Sequence, residues 1–363
     1  MINNQFLINM RAIITAILFF SINLNFLSAQ TLYEKIDSVL NSYYDNNKFN
    51  GSALVSVNGE AIYSKGFGYS NYEWDLKNET DTKFNIGSCT KQFTAALIMI
   101  LNQENKLALD DNISKFIPDY PYEKGEKITI RNLLSHTSGI PEYFALPQMQ
   151  DLMYKENDPL EFIKNFWDLD LEFEPGSEMK YSNSGYFVLG KIIENVTGKK
   201  YSQVLDEKIF KPLLMLNSGV INPYKVLKKK AYGYLKINNT LIPAPYFNPS
   251  GAFSAGAIYS TVEDLLKWQN SLNSFTILTK ESIDLMTTPG ISRYGFGFAI
   301  MNLTLENGEP RVVFGHEGEI FGYRSLIQII KKSNSSVILL DNNQNTELGN
   351  IARDIRSLLY DIK

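Results

Sequence analysis

A chain of 363 residues, 44% hydrophobic and 20% charged, lies in the globular range, which excludes intrinsic disorder and collagen-like or mucin-like polymers. Thirty-five basic and 39 acidic residues give a net charge of -4, with no polybasic run longer than Lys228-Lys229-Lys230, which argues against a nucleic-acid partner. One cysteine, Cys89, and two histidines, His136 and His316, rule out an intramolecular disulfide, a thiolate zinc site and a histidine-rich metal centre.

The N-terminus reads as a targeting segment. Residues 1–33 contain no acid, and Arg11 precedes the apolar run Ala12–Phe20 and then Leu27-Ser28-Ala29-Gln30. This pattern predicts a secretory signal peptide over 1–29, cleaved after Ala29. Asn23 and Asn25 interrupt the run before the roughly 20 apolar residues a spanning helix needs, and no cysteine stands at the cleavage site for lipid attachment. The expectation is an exported protein, periplasmic or extracellular, with no stable membrane anchor.

The predicted mature chain, residues 30–363, exceeds the size of one ordinary core, so two lobes are expected. Leu32, Ile36, Val39, Leu40 and Tyr43 recur at helical spacing. Ser52–Val57 and Ala61–Gly66 flank Asn58-Gly59, a hairpin signal. A largely apolar stretch from Ser88 to Leu101 predicts a buried helix. Leu189, Ile192, Ile193 and Val196 form a second helical stripe, stopped by Gly198. Thr261-Val262-Glu263-Asp264 resembles a capping box ahead of a third helix. Four β-rich segments follow: Phe296–Leu303, Arg311–Phe314, Tyr323–Ile330 and Ser336–Leu340. Leu348, Ile351, Ala352, Ile355, Leu358 and Leu359 mark a closing helix. The order predicts an α+β fold: an antiparallel sheet from the N- and C-terminal segments (30–87 and 245–363), flanked by helices, with a mostly helical lobe (88–244) inserted.

Two motifs fail on inspection. His316-Glu317 starts the zinc-protease pattern, but Ile320 stands where its second histidine belongs. Gly185–Lys191 has phosphate-loop spacing, but Ile192 replaces the required hydroxyl residue and the segment lies on a helix stripe. No G-x-S-x-G elbow occurs.

Ser88-Cys89-Thr90-Lys91 is different. Residues three apart share a helix face, and the apolar turns that follow desolvate Lys91, lowering its pKa toward a usable proton acceptor. Tyr181-Ser182-Asn183 can aim a phenol and an amide into one cleft, since alternate residues of an extended loop point the same way. His316-Glu317-Gly318 is predicted to end a β segment, its glycine allowing a substrate backbone to approach a strand edge.

Together and in this order, the three elements resemble the penicillin-recognising serine hydrolases, which include class C beta-lactamases, D-alanyl-D-alanine carboxypeptidases and related esterases and peptidases. The resemblance extends over nearly all the mature chain, through Phe84–Lys91, Ile128–Ile140, Pro175-Gly176, Tyr181-Ser182-Asn183, Pro212–Met215 and Gly315–Gly318. It implies a beta-lactamase/transpeptidase-like fold and an acyl-enzyme on Ser88, with Lys91 and Tyr181 moving its proton. Asn183, His316 and Gly318 would contact substrate, and the N–H groups of Ser88 and Glu319 would hold the oxyanion. It implies no metal or organic cofactor, and a small-molecule or peptide partner such as a cell-wall fragment. His136 is expected to be structural, holding the loop after a short buried helix.

His316 stands where class C beta-lactamases of this family carry a lysine. A mostly neutral imidazole attracts a substrate carboxylate less than an ammonium does, favouring ester, amide or peptide hydrolysis over beta-lactam turnover. A beta-lactamase, a non-catalytic ligand-binding relative and a cysteine hydrolase using Cys89 are the alternatives. The side chain of Cys89 should point roughly 100° away from that of Ser88, which suits a small buried hydrophobe.

Overall fold

The structure, a computed structural model, describes residues 32–360 apart from 239, 306 and 307; the expected signal peptide lies outside the described residues. The predicted hairpin forms β1 (Gly51–Val57) and β2 (Glu60–Gly66). Asn58 and Gly59 at its turn have φ of 52° and 79°, the two left-handed residues that a tight turn matched to strand twist requires. The C-terminal half supplies β3 (Ala299–Thr304), β4 (Pro310–Ile320), β5 (Tyr323–Ile330) and β6 (Ser335–Asp341).

These six form one antiparallel sheet ordered β3-β4-β5-β6-β1-β2. The N- and C-terminal parts of the chain meet within it, where Gly51 lies opposite Asp341 and Ser56 opposite Ser336. The fold is thus α+β, with a sheet built from both termini, as the strand pattern predicts.

The helices that build the core and position the site are α1 (residues 32–45), α2 (Thr90–Gln103), α3 (Ile130–Leu134), α4 (Asn183–Thr197), α5 (Val262–Ser274) and α6 (Leu348–Leu359). Period-two alternation along the central strands serves two cores at once. Val337 and Leu339 of β6 face Ile36 and Leu40 of α1 and Ile351 and Ile355 of α6. Ile338 and Leu340 face the opposite side and join the larger core that holds α2, α4 and α5. Local chemistry sets the helix ends. Ser182 caps α4 by accepting the Gly185 N–H at 3.2 Å, and Gly198 ends it at φ 66°. Thr261 caps α5 by accepting the Asp264 N–H, also at 3.2 Å. Among the described residues no helix is long and apolar enough to cross a membrane.

Two local expectations need correction. Ser88 belongs to a 3-10 turn, Gly87–Cys89, that leads into α2. Positions i and i+3 eclipse in such a turn, so Ser88 and Lys91 still come together. The strand carrying His316-Glu317-Gly318 does not end there: β4 stays paired with β5 through Ile320. Gly318 sustains the ladder rather than breaking it. A Cβ at Gly318 would lie 2.1 Å from the Ile86 carbonyl oxygen, so the glycine lets β4 pass against the segment before Ser88.

Candidate active site

The centre of the site is a buried lysine. Lys91 is fully enclosed, and its Nζ donates to Ser88 Oγ at 3.1 Å, Asn183 Oδ1 at 2.7 Å and the Ala255 carbonyl at 2.9 Å. Three acceptors match the three hydrogens of an ammonium. Burial pulls the lysine pKa down to about 7, with the Glu142 carboxylate and then Cys89 acting in the opposite direction.

Tyr181 completes the group. Its hydroxyl is in hydrogen-bond contact with Ser88, and its ring centroid lies 4.9 Å from Lys91 Nζ. The side chain is 36% exposed along the cleft. The surroundings of the hydroxyl are nevertheless dense enough for desolvation to raise its pKa, so the phenol keeps its proton at neutral pH. Beneath it, the His136 ring lies with centroids 4.3 Å from Tyr181, 5.0 Å from Tyr186 and 4.5 Å from Tyr294. Nδ1 of His136 accepts the Ser182 N–H at 3.0 Å, which ties the loop after α3 to the loop before α4. Burial and then Lys91 depress its pKa well below the usual histidine value, and its Nε2 has no hydrogen-bond partner among the described residues.

Strand β4 forms the opposite wall. Ile320 and Tyr323 close the two-residue turn to β5, so the next pair, Glu319 and Arg324, is a non-hydrogen-bonded one. The Glu319 N–H therefore points away from β5, at a level where β3, paired only with residues 310–315, no longer covers the edge. Gly87 lies directly beside it: a Cβ on Gly87 would come within 2.9 Å of the Glu319 nitrogen. Gly87 also has φ 48°, so the turn that presents Ser88 depends twice on a glycine. The Glu319 carboxylate is occupied elsewhere, by Arg324 at 2.8 Å and Gln344 Nε2 at 2.7 Å.

His316 is 8% exposed and both its ring nitrogens are engaged by the protein. Nδ1 lies 2.5 Å from the Glu317 carbonyl oxygen, which can only accept, so Nδ1 carries the hydrogen. Nε2 then accepts from the Tyr294 hydroxyl at 2.9 Å. Burial, then the nearby Lys91, push the imidazole down to about 3, which keeps it neutral. Gly318 packs on Ile86 rather than opening to the cleft.

A cavity of about 360 Å³ opens above Ser88 and Asn183. Tyr143, Phe144, Ile320 and Phe321 supply apolar walls, and among the described residues no lysine or arginine lines it. Phe321 is held by stacking on Phe247 at 4.6 Å. Cys89 lies on the other side of the turn, where its thiol donates to the His316 carbonyl and accepts from Ser325 Oγ, both at 3.1 Å. Burial pushes that thiol up to about 12, the state of a packed hydrophobe rather than a nucleophile.

Comparison with known proteins places the fold. The family model described as Beta-lactamase matches residues 36–360. The chain belongs to the beta-lactamase family. PbpX of Bacillus subtilis (strain 168) is 31% identical over 323 residues, covering 88% of this chain and 78% of PbpX. Protein flp of Staphylococcus aureus (strain N315) is 30% identical, covering 85% of this chain but 63% of flp, so this chain spans less than two thirds of that relative. Among solved structures, D-amino acid amidase from Ochrobactrum anthropi SV3, crystallised with D-phenylalanine, superimposes with a TM-score of 0.79 at 25% identity, covering 92% of this chain and all of the amidase.

Residue patterns did not reveal four parts of this site. Ala255 contributes a carbonyl, which every residue type carries. Gly87 stands within Phe84–Lys91 with no role of its own assigned to it, Glu142 follows the Thr137-Ser138-Gly139-Ile140-Pro141 run without a motif of its own, and Tyr294 is one of 21 tyrosines.

Proposed function

We propose that the protein is an exported serine hydrolase that forms an acyl-enzyme on Ser88 and cleaves small esters or amides bearing an apolar acyl group and no carboxylate beside the scissile bond. The hydrogen-bond count around Lys91 carries this reading. Once neutral, the amine keeps two hydrogens, and Asn183 Oδ1 and the Ala255 carbonyl, as pure acceptors, claim both. Its lone pair is left facing Ser88 Oγ. A lysine brought down to about 7 populates that state at neutral pH.

Ser88 Oγ then bonds to the substrate carbonyl carbon as its hydrogen passes to Lys91 Nζ, and the carbonyl π electrons move onto oxygen. The N–H groups of Ser88 and Glu319 hold that oxyanion. Its collapse breaks the bond to the leaving group, which takes the hydrogen from Lys91 through the Tyr181 hydroxyl. Water repeats the sequence at the acyl carbon and restores Ser88.

The cavity supports the substrate class. Its walls combine aromatic and aliphatic side chains with Glu319 and Gln344, and among the described residues they include no lysine or arginine, while Arg324 is tied to Glu319 and to the Gln344 carbonyl at 2.8 Å. The structural neighbour crystallised with D-phenylalanine is an amidase, which fits an apolar acyl site. Export is supported by the apolar run and Ala29 cleavage pattern of residues 1–29. The test is a panel of p-nitrophenyl acetate, p-nitrophenyl butyrate, D-phenylalanine amide and nitrocefin. We expect the substrates without a carboxylate to exceed nitrocefin in kcat/KM by about ten- to a hundredfold, the worth of one missing charge-assisted hydrogen bond. Nitrocefin turnover rivalling the best ester or amide would overturn the substrate assignment.

A further inference from the structure

We propose that Glu142 is a positioning residue that fixes Asn183 against Lys91 and, through its charge, sets the pH at which Lys91 becomes a proton acceptor; this rests on the reading of Lys91 as the base for Ser88. Glu142 lies in the loop after α3, and its Oε2 accepts the backbone N–H of Asn183 at 2.5 Å. Oε1 accepts the Phe144 N–H at 3.1 Å, so the carboxylate is held at both ends. The loop is further stitched to the start of α4 by Ser184, whose Oγ donates to the Pro141 carbonyl at 2.6 Å and accepts the Tyr143 N–H at 2.9 Å. One residue, Asn183, therefore separates the carboxylate from the lysine, with its N–H on Glu142 and its Oδ1 on Lys91 Nζ.

The charge matters because the other neighbours offer none. Lys91 faces Ser88, Asn183 and the Ala255 carbonyl, with the rings of Tyr181 and Tyr186 at 4.9 and 5.6 Å. Cys89, His136 and His316 are the remaining ionisable groups around it, and burial keeps the thiol protonated and both imidazoles neutral. The N-terminus of α4 adds positive potential that disfavours an ammonium. Glu142 is the carboxylate set against these effects, and it raises the lysine pKa that burial alone would leave lower. Without it Lys91 would lose its proton at lower pH, and the neutral amine would be a weaker base.

The decisive experiment follows the rate of fluorophosphonate labelling of the full chain by intact mass, from pH 4.5 to 9. Labelling needs the Ser88 nucleophile and its base but no knowledge of the natural substrate. Glu142→Gln keeps an acceptor for the Asn183 N–H and removes the charge. We expect the acid limb of its profile to move to lower pH by about one unit, the effect of an opposite charge removed at close range. Glu142→Asp, which restores the charge, should return the limb toward wild type. A limb unmoved in the Gln variant, with labelling reduced by one factor at every pH, would overturn the proposal, as would Asp and Gln variants with the same displaced limb. Ser88→Ala separates the two levels of inference. If that variant still labels at the wild-type rate, the reading of the whole site fails; if it does not label and Glu142→Gln leaves the limb in place, the Glu142 assignment alone fails.

Discussion

Tyr294 donates its hydroxyl hydrogen to Nε2 of His316 at 2.9 Å, so the histidine is locked in its neutral Nδ1–H form without any help from substrate. The same tyrosine packs against His136, 4.5 Å between centroids, and lies 6.3 Å from the Tyr181 ring. It thus braces one wall of the cleft from behind. The arrangement explains how a histidine can stand in this position without adding a positive charge beside Lys91.

Tyr294→Phe should leave a buried Nε2 acceptor unsatisfied at the cost of one hydroxyl. Such orphaned groups cost about 1–3 kcal/mol. We expect a lower melting temperature by differential scanning calorimetry. An unchanged melting temperature would mean that the Tyr294–His316 bond contributes nothing net.

The pH dependence of stability follows from the same burial. His316 is pushed down to about 3 in the folded chain, against roughly 6.5 when unfolded. Between these values the unfolded chain binds a proton that the folded chain does not. The contribution is therefore complete above about 6.5 and is lost as pH falls toward 3, at about 1.4 kcal/mol per pH unit for one group. Asp341, buried and pushed up to about 7, acts with the opposite sign, but it is common to wild type and variant. His316→Gln should flatten the loss of urea stability between pH 6 and 4 by about one histidine's worth. Parallel curves for the two proteins would contradict the neutral, buried histidine.

Much of this organisation is legible in the sequence, for identifiable reasons. The Asn58-Gly59 hairpin, the Gly198 stop and the C-terminal strands depend on short-range backbone preferences that act within a few residues. Ser88, Lys91, Tyr181 and Asn183 stand in motifs, and the structure brings them within contact of one another. What sequence could not give is long-range. The Ala255 carbonyl and the Glu319 N–H are backbone groups whose importance depends on where the chain passes. Glu142 matters only because the loop after α3 folds onto the start of α4. The sequence predicts that the strand ends at His316-Glu317-Gly318, but Gly318 is there because Ile86 leaves no room for a side chain, and pairing with β5 carries the ladder on.

Lys91 and Tyr181 should behave as one proton-transfer unit. Tyr181 retains its proton and Lys91 titrates near neutrality, so each hydrogen that leaves Ser88 crosses a shared network. Lys91→Ala and Tyr181→Phe should be strongly non-additive, the double variant losing little beyond the worse single one. Multiplication of the separate defects in kcat/KM would show two independent roles.

A lysine at position 316 should change substrate preference. Tyr294 and the Glu317 carbonyl, the partners of the buried His316, cannot neutralise an ammonium, and among the described residues no lysine or arginine lines the neighbouring cavity. His316→Lys should therefore shift the ratio of kcat/KM values for nitrocefin and p-nitrophenyl acetate toward nitrocefin. A ratio equal to that of the wild type would show that this position does not set substrate class.

The central claim is that Ser88 is the residue acylated, with Lys91 as its base. It is tested most directly by peptide mapping of the adduct formed with a fluorophosphonate or a fluorescent penicillin. The account predicts a single adduct on the peptide containing Ser88, absent in Ser88→Ala and formed at least about a hundredfold more slowly in Lys91→Ala. An adduct on Cys89, or one retained in Ser88→Ala, would contradict it.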